Sequence, residues 1–178
     1  MAEGIDKAAA AFEAVGGYRD DLIAGEDPEI CVRLRAAGWH IWRLDTGMTL
    51  HDAAMTRFSQ WWQREIRSGY VFAQGAHLHG APPEYHFAWE SARAWFWGGL
   101  LPLACLCIGW AFRPWGWSVW FISPLHMLQK VIRSSGPLKD RALIALFRVL
   151  GHFAQICGQI RFVRDRLLRR KARLIEYK

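Results

Sequence analysis

The chain has 178 residues, 52% of them apolar, with 11 tryptophans and a formal charge of +7. Its four cysteines form no pattern that would suggest a disulfide framework. The basic excess is also uneven: residues 1–52 carry five basic and ten acidic side chains, while residues 53–178 carry eighteen and six. The basic part is the apolar part, so its charge flanks hydrophobic runs, which argues for a membrane surface rather than nucleic acid.

In chain order, Met1–Val15 has no apolar core of the kind a secretory signal needs. Gly16-Gly17, followed by Tyr18, marks a turn where the backbone can take positive φ and a ligand can approach closely. Asp27 then reads as a helix N-cap with Pro28 in the first position, and Ile30, Leu34 and Ala37 share one face. Gly38 stands just past the end, which predicts a helix over Pro28–Ala37. Trp39–Leu44 alternates apolar and polar residues as a half-buried strand does, and the segment closes with Leu50-His51-Asp52.

A further helix is expected over Ala54–Val71, with Arg64 and Arg67 three residues apart and Trp61 and Trp62 as packing or membrane-interface residues. Leu78–Ala94, rich in Pro, His and aromatics, reads as a boundary segment. His77, His79 and His86 lie around it without a second ligand pair at a known spacing, so they do not make a metal motif. Cys105-Leu106-Cys107 lacks the two-residue spacer of a redox or zinc pair.

Trp95–Phe112 contains no charge; as a helix its residues reach about 27 Å, close to the thickness of a bilayer core. Pro102 inside it predicts a kink. Trp115–Gln129 is shorter and carries Pro124 and His126, which suits a spanning or a re-entrant segment. Tryptophans crowd the ends of both runs, as at an interfacial belt, and Arg113-Pro114 reads as the non-cytoplasmic turn of a helical hairpin over about 95–129. Ala142–Val163 differs. Arg141, Arg148, His152, Gln155, Gln159 and Arg166 make a polar stripe, so a basic amphipathic helix over about 141–171 is expected to lie in the interface. Basic clusters on both sides of that segment place both flanks in the cytoplasm.

The ordered set of a Gly-Gly-aromatic turn, a Glu26-Asp27 helix start, Arg33-Leu34, Gly38, a strand and a lone His resembles the C-terminal half of the catalytic domain of family 2 glycosyltransferases. The resemblance covers roughly Ala11–Gly75. It implies an α/β fold, a partial GT-A domain over 1–77, joined through a linker at 78–94 to a membrane region at 95–178. It also implies Asp27 as the general base on the acceptor hydroxyl, with Glu26 as its orienting partner. Gly16, Gly17 and Tyr18 would line the donor and acceptor loop, and His51 would help to hold a divalent metal, Mg²⁺ or Mn²⁺. The family's first half, with its Asp-x-Asp, has no counterpart before Ala11, so the main metal ligands are expected there and the chain is expected to be a truncated enzyme, inactive alone. The processive Gln-x-x-Arg-Trp signature is not met by Gln60-Trp61-Trp62-Gln63-Arg64, which favours a single transfer.

Inverting transfer needs a carboxylate to take the acceptor proton and cationic groups to neutralise the departing diphosphate; Arg64 and Arg67 suit the second task through their paired donors. The partners implied are a nucleotide-sugar donor, a lipid-linked or glycan acceptor and membrane lipids, with no nucleic acid. The setting implied is cell-envelope polysaccharide synthesis at the cytoplasmic face of the inner membrane. Each residue also has a plainer reading: Asp27 as a helix cap, His51 as a strand-end histidine, and Arg64 and Arg67 as a solvated face. The alternative from a different class is a non-catalytic, membrane-anchored interaction or scaffold module.

Overall fold

The computed structural model describes residues 2–42, 55–113, 118, 122–133 and 135–170. They form helices α1 (Ala2–Ala14), α2 (Glu26–Ala36), α3 (Phe58–His79), α4 (Ala88–Trp95), α5 (Leu101–Ala111), α6 (Ile122–Arg133) and α7 (Leu138–Leu167), with a π turn over Phe96–Leu100 between α4 and α5. No strand occurs among the described residues. This overturns the α/β expectation and with it the partial GT-A fold: the described chain is all-α. Trp39, His40, Ile41 and Trp42 show why. All four are exposed and none is in a strand, so the alternation that suggested a half-buried strand buries nothing here, and a strand without a partner has no ladder to close. The remainder of the expected strand, Arg43 and Leu44, lies outside the described residues, as does His51.

The first two helices end in the same way. Gly16 and Gly17 donate their backbone N–H groups to Glu13 and Phe12 carbonyls at 2.9 and 3.0 Å, closing α1, and Gly38 and Trp39 do the same to Arg35 and Leu34, closing α2. Both are paired caps in which a left-handed glycine satisfies carbonyls that a helix end leaves open. The start of α2 departs from expectation. Gly25, at φ +85°, is the N-cap, and Asp27 sits inside the first turn rather than capping it. A Cβ on Gly25 would lie 2.9 Å from Val71 Cγ1, so close approach to α3 and the positive φ both call for glycine.

The spine of the fold is the pair α3 and α7, which run parallel. Trp61 meets Phe147, Glu65 meets Gln155, Tyr70 meets Phe162, and His77 meets Arg166, rising together along both helices. The two backbones nearly touch: a Cβ on Gly69 would lie 1.9 Å from the Gln155 carbonyl oxygen, and one on Gly158 would lie 2.0 Å from that of Ile66. Small residues at such crossings let helices approach and gain dispersion contact. The Ile23, Tyr70 and Val71 cluster, with Phe87 and Phe162 around it, closes the end that carries α2.

The α4–α5 rod runs antiparallel to α7. Ser91 Oγ donates to Gln159 Oε1 at 2.8 Å while Gln159 Nε2 donates back to the Ser91 carbonyl at 3.1 Å. The expected kink at Pro102 takes the form of the π turn just before it. Proline cannot donate an N–H, and its ring would crowd the Gly98 carbonyl four residues back; widening the preceding turn relieves both. The helical stretches Ala88–Ala111 and Leu138–Leu167 are each long and apolar enough to cross a membrane. Leu103, Leu106 and Trp110 on α5 are all exposed, as the lipid-facing side of such a helix would be. α6 packs against α7, and Trp97 stacks on His126 at 3.7 Å between ring centres.

Candidate functional site

The candidate carboxylates sit on a short helix that α3 holds in place. Arg67 Nη2 donates to the Ile23 carbonyl at 2.8 Å, and Gln74 Nε2 donates to that of Asp21 at 2.9 Å, so two α3 side chains fix the loop that leads into α2. Within α2, Glu29 is 2% exposed and accepts from Arg33 Nε and Nη2 and from His79 Nε2, the last at 2.9 Å. Arg33 reaches further, donating to the carbonyls of Val15 and of Gly17, the latter at 2.6 Å. One guanidinium therefore ties the α1–α2 turn, the first turn of α2 and, through Glu29, the end of α3. A bidentate arginine on a buried carboxylate is the geometry in which such a pair is strongest. Burial opposes ionisation of Glu29, but its hydrogen bonds to Arg33 and His79 prevail and hold the carboxyl below its usual range. Arg35 adds an outer clasp to Glu84, ahead of α4.

On that platform Asp27 is exposed and accepts from Tyr18 Oη at 3.0 Å. Tyr18 packs edge-on against Phe12 at 5.1 Å, which fixes the phenol from the other side. The hydrogen bond to Asp27, followed by the charge of the same carboxylate, pushes the Tyr18 phenol above its ordinary value. The second Asp27 oxygen takes no side-chain hydrogen bond among the described residues. Glu26 is half-buried in the same turn. Thus the structure brings together Tyr18, Glu26 and Asp27 with the Gly16-Gly17 turn. It places the other predicted residues differently. Arg67 is engaged with the Ile23 carbonyl, and Arg64, one turn earlier on α3, is exposed with Met55 Sδ at 4.0 Å.

The resemblance puts the main ligands of the divalent ion in a half with no counterpart here, and His51 lies outside the described residues. Among them no group of three or more His, Cys, Asp or Glu is arranged to hold an ion, and the carboxylate of Glu29, the best-enclosed acid, is already filled by Arg33 and His79. The described residues therefore do not fit such an ion on their own.

Three further residues organise the site. Glu29, Arg33 and His79 look like ordinary helix-face polar residues; a signal lay in the i, i+4 Glu29–Arg33 spacing, but the third partner is 50 residues away. Part of the polar stripe of α7 faces its neighbours: Gln159 is fully buried and His152 is 5% exposed, with Gln155 Nε2 donating to Glu65 at 2.7 Å. No known family, curated protein or solved structure matches this chain.

Proposed function

We propose that this chain is part of a membrane-associated sugar transferase, in which the Asp27 carboxylate takes the proton of an acceptor hydroxyl. The observation that supports this best is the pairing of an exposed carboxylate with Tyr18 on a helix turn whose position is fixed from below by Glu29, Arg33 and His79. A base that must meet a hydroxyl within hydrogen-bond reach needs that fixity, since small displacements sharply reduce rate. As the acceptor oxygen bonds to the anomeric carbon, its proton passes to Asp27, and the bond to the diphosphate breaks with the electron pair leaving on phosphate oxygen. Tyr18 orients the carboxylate by donating to one oxygen. Glu26 adds negative charge beside it. Helices long and apolar enough for a bilayer suit a lipid-linked or glycan acceptor and a cytoplasmic nucleotide-sugar donor.

The scaffold reading has one observation in its favour: Arg33 and Arg67 are both engaged with backbone carbonyls, which is what a purely structural platform requires. Radiolabelled transfer in membranes carrying the complete gene product separates the two. Asp27→Asn is expected to lower transfer by roughly 10²-fold or more at unchanged expression, with Asp27→Glu retaining part of it. Undiminished transfer by Asp27→Asn would remove Asp27 from the base role.

A further inference from the structure

A cavity of about 720 Å³ lies between α3, α4 and α7, away from the carboxylate turn. Its walls divide by chemistry. Arg93, Arg148 and Glu65 supply charge, whereas Trp61, Ile144 and Phe147 supply an apolar and aromatic side. Neither guanidinium has an ion-pair partner among the described residues, and the Nε of Arg93 is buried without an acceptor. Glu65 forms no salt bridge with either: its carboxylate accepts from Gln155 at 2.7 Å and lies over the backbone of Gly151, and its single charge offsets only one of the two. Two guanidinium groups against one engaged carboxylate leave the lining positive. A buried N–H without an acceptor is costly unless something supplies one.

The location narrows what that is. Ile144 and Phe147 line the cavity and are also exposed on the outer face of α7, next to exposed Leu143 and Leu146. One wall of the cavity thus continues onto the surface of a helix long and apolar enough to cross a membrane. A free anion would use only the arginines. An amphiphile would use both walls at once, with its headgroup between Arg93 and Arg148 and its chain running out along Phe147 and Ile144. We propose that this cavity binds the phosphate headgroup of a membrane amphiphile. The planar fork of arginine suits phosphate oxygens, and Trp61, packed edge-on against Phe147 at 4.8 Å, suits the glycerol or first methylene level.

The inference rests on the membrane part of the proposed function and not on sugar transfer, so a lipid-binding measurement tests it whatever the transfer assay gives. The full chain in a neutral maltoside detergent is titrated calorimetrically with dioctanoyl phosphatidic acid, dioctanoyl glycerol and inorganic phosphate. Phosphatidic acid is expected to bind at least about ten-fold more tightly than either of the others. Arg148→Gln, an exposed and fold-tolerant change, is expected to weaken it by about ten-fold, and Arg93→Gln by at least as much. Phe147→Ala is expected to weaken phosphatidic acid while leaving inorganic phosphate unchanged. Three results would overturn the proposal: equal affinity for phosphate and phosphatidic acid, unchanged affinity in Arg148→Gln, or an equal loss in Lys139→Gln, which lies outside the cavity and reports diffuse charge. Stable incorporation into phosphatidylcholine nanodiscs without any headgroup preference would keep the membrane reading and reject the cavity.

Discussion

Arginines at the two ends of the α3–α7 spine meet different fates. Near α2, Arg33, Arg35 and Arg67 are each fastened to a carboxylate or a backbone carbonyl, whereas Arg93 and Arg148 line a cavity with no such partner among the described residues. The difference follows from what surrounds them. The α2 end is built from short helices whose turns leave carbonyls open, and Arg33 and Arg67 take up carbonyls of the neighbouring turns and loops. The cavity is lined by helical residues of α3, α4 and α7 that lie ahead of any open helix C-terminus, so their carbonyls are already used in the helices' own ladders. There the arginines have no backbone to bind, and a ligand is the remaining source of acceptors.

The comparison is sharpest if the spine that joins the two ends is forced apart. Gly158→Val would drive a side chain into the Ile66 carbonyl, and Gly69→Val into that of Gln155, so either is expected to cost roughly 3 kcal/mol or more, read as the unfolding midpoint in detergent. Loss at both ends together would identify one cooperative unit; an unchanged midpoint would show that the helices do not pack this closely. Glu29→Ala comes next. It leaves Arg33 half-enclosed without its carboxylate and is expected to cost on the order of 3 kcal/mol, with the cavity end retaining its lipid affinity.

A pH series gives a smaller effect with a definite sign. Burial, followed by the charge of Arg166, pushes the His77 ring below its ordinary range; burial, followed by the charges of His79 and Arg35, does the same to His86. In both, the fold favours the neutral ring, so the stability is present above about pH 6.5 and is lost as pH falls through the depressed values. For His77 the contact is direct, because Arg166 Nη1 donates to its Nδ1 at 2.7 Å and protonation would remove that acceptor. The unfolding midpoint should fall between about pH 8 and pH 5, and His77→Gln should flatten the slope. The Glu29 carboxyl, held low by its partners, adds a further loss only in more acidic solution. A midpoint that rises on acidification would contradict both. The smallest effect belongs to the exposed Arg19–Asp21 pair, where Arg19→Ala is expected to cost less than about 1 kcal/mol.

Local chemistry was legible in the residues themselves. The helix stop at Gly38, the turn at Gly16-Gly17, the disturbance caused by Pro102 and the uncharged run after Trp95 depend on backbone preference and on transfer from water, which act over a few residues. Where α2 begins was less legible, because Asp27-Pro28 and Gly25 are both acceptable starts and packing of Gly25 against Val71 favours the earlier one. The alternation at Trp39–Leu44 misled for a related reason: a strand exists only with a partner, and a period of two does not supply one.

Which polar groups became structural fasteners and which line a cavity was decided only by the tertiary fold. Glu29 and His79 stand 50 residues apart, Glu65 and Gln155 stand 90 apart, and Ser91 and Gln159 stand 68 apart. Each pair is set by how α2 and α7 lie against α3 and how α4 lies against α7. The sequence by itself determined the helix-forming and membrane-grade segments, because propensity and apolar length are properties of a stretch of chain. The direction in which the polar stripe of α7 points was not such a property: it depends on the near-contact at Gly69 and Gly158, where two backbones meet because neither glycine holds them apart.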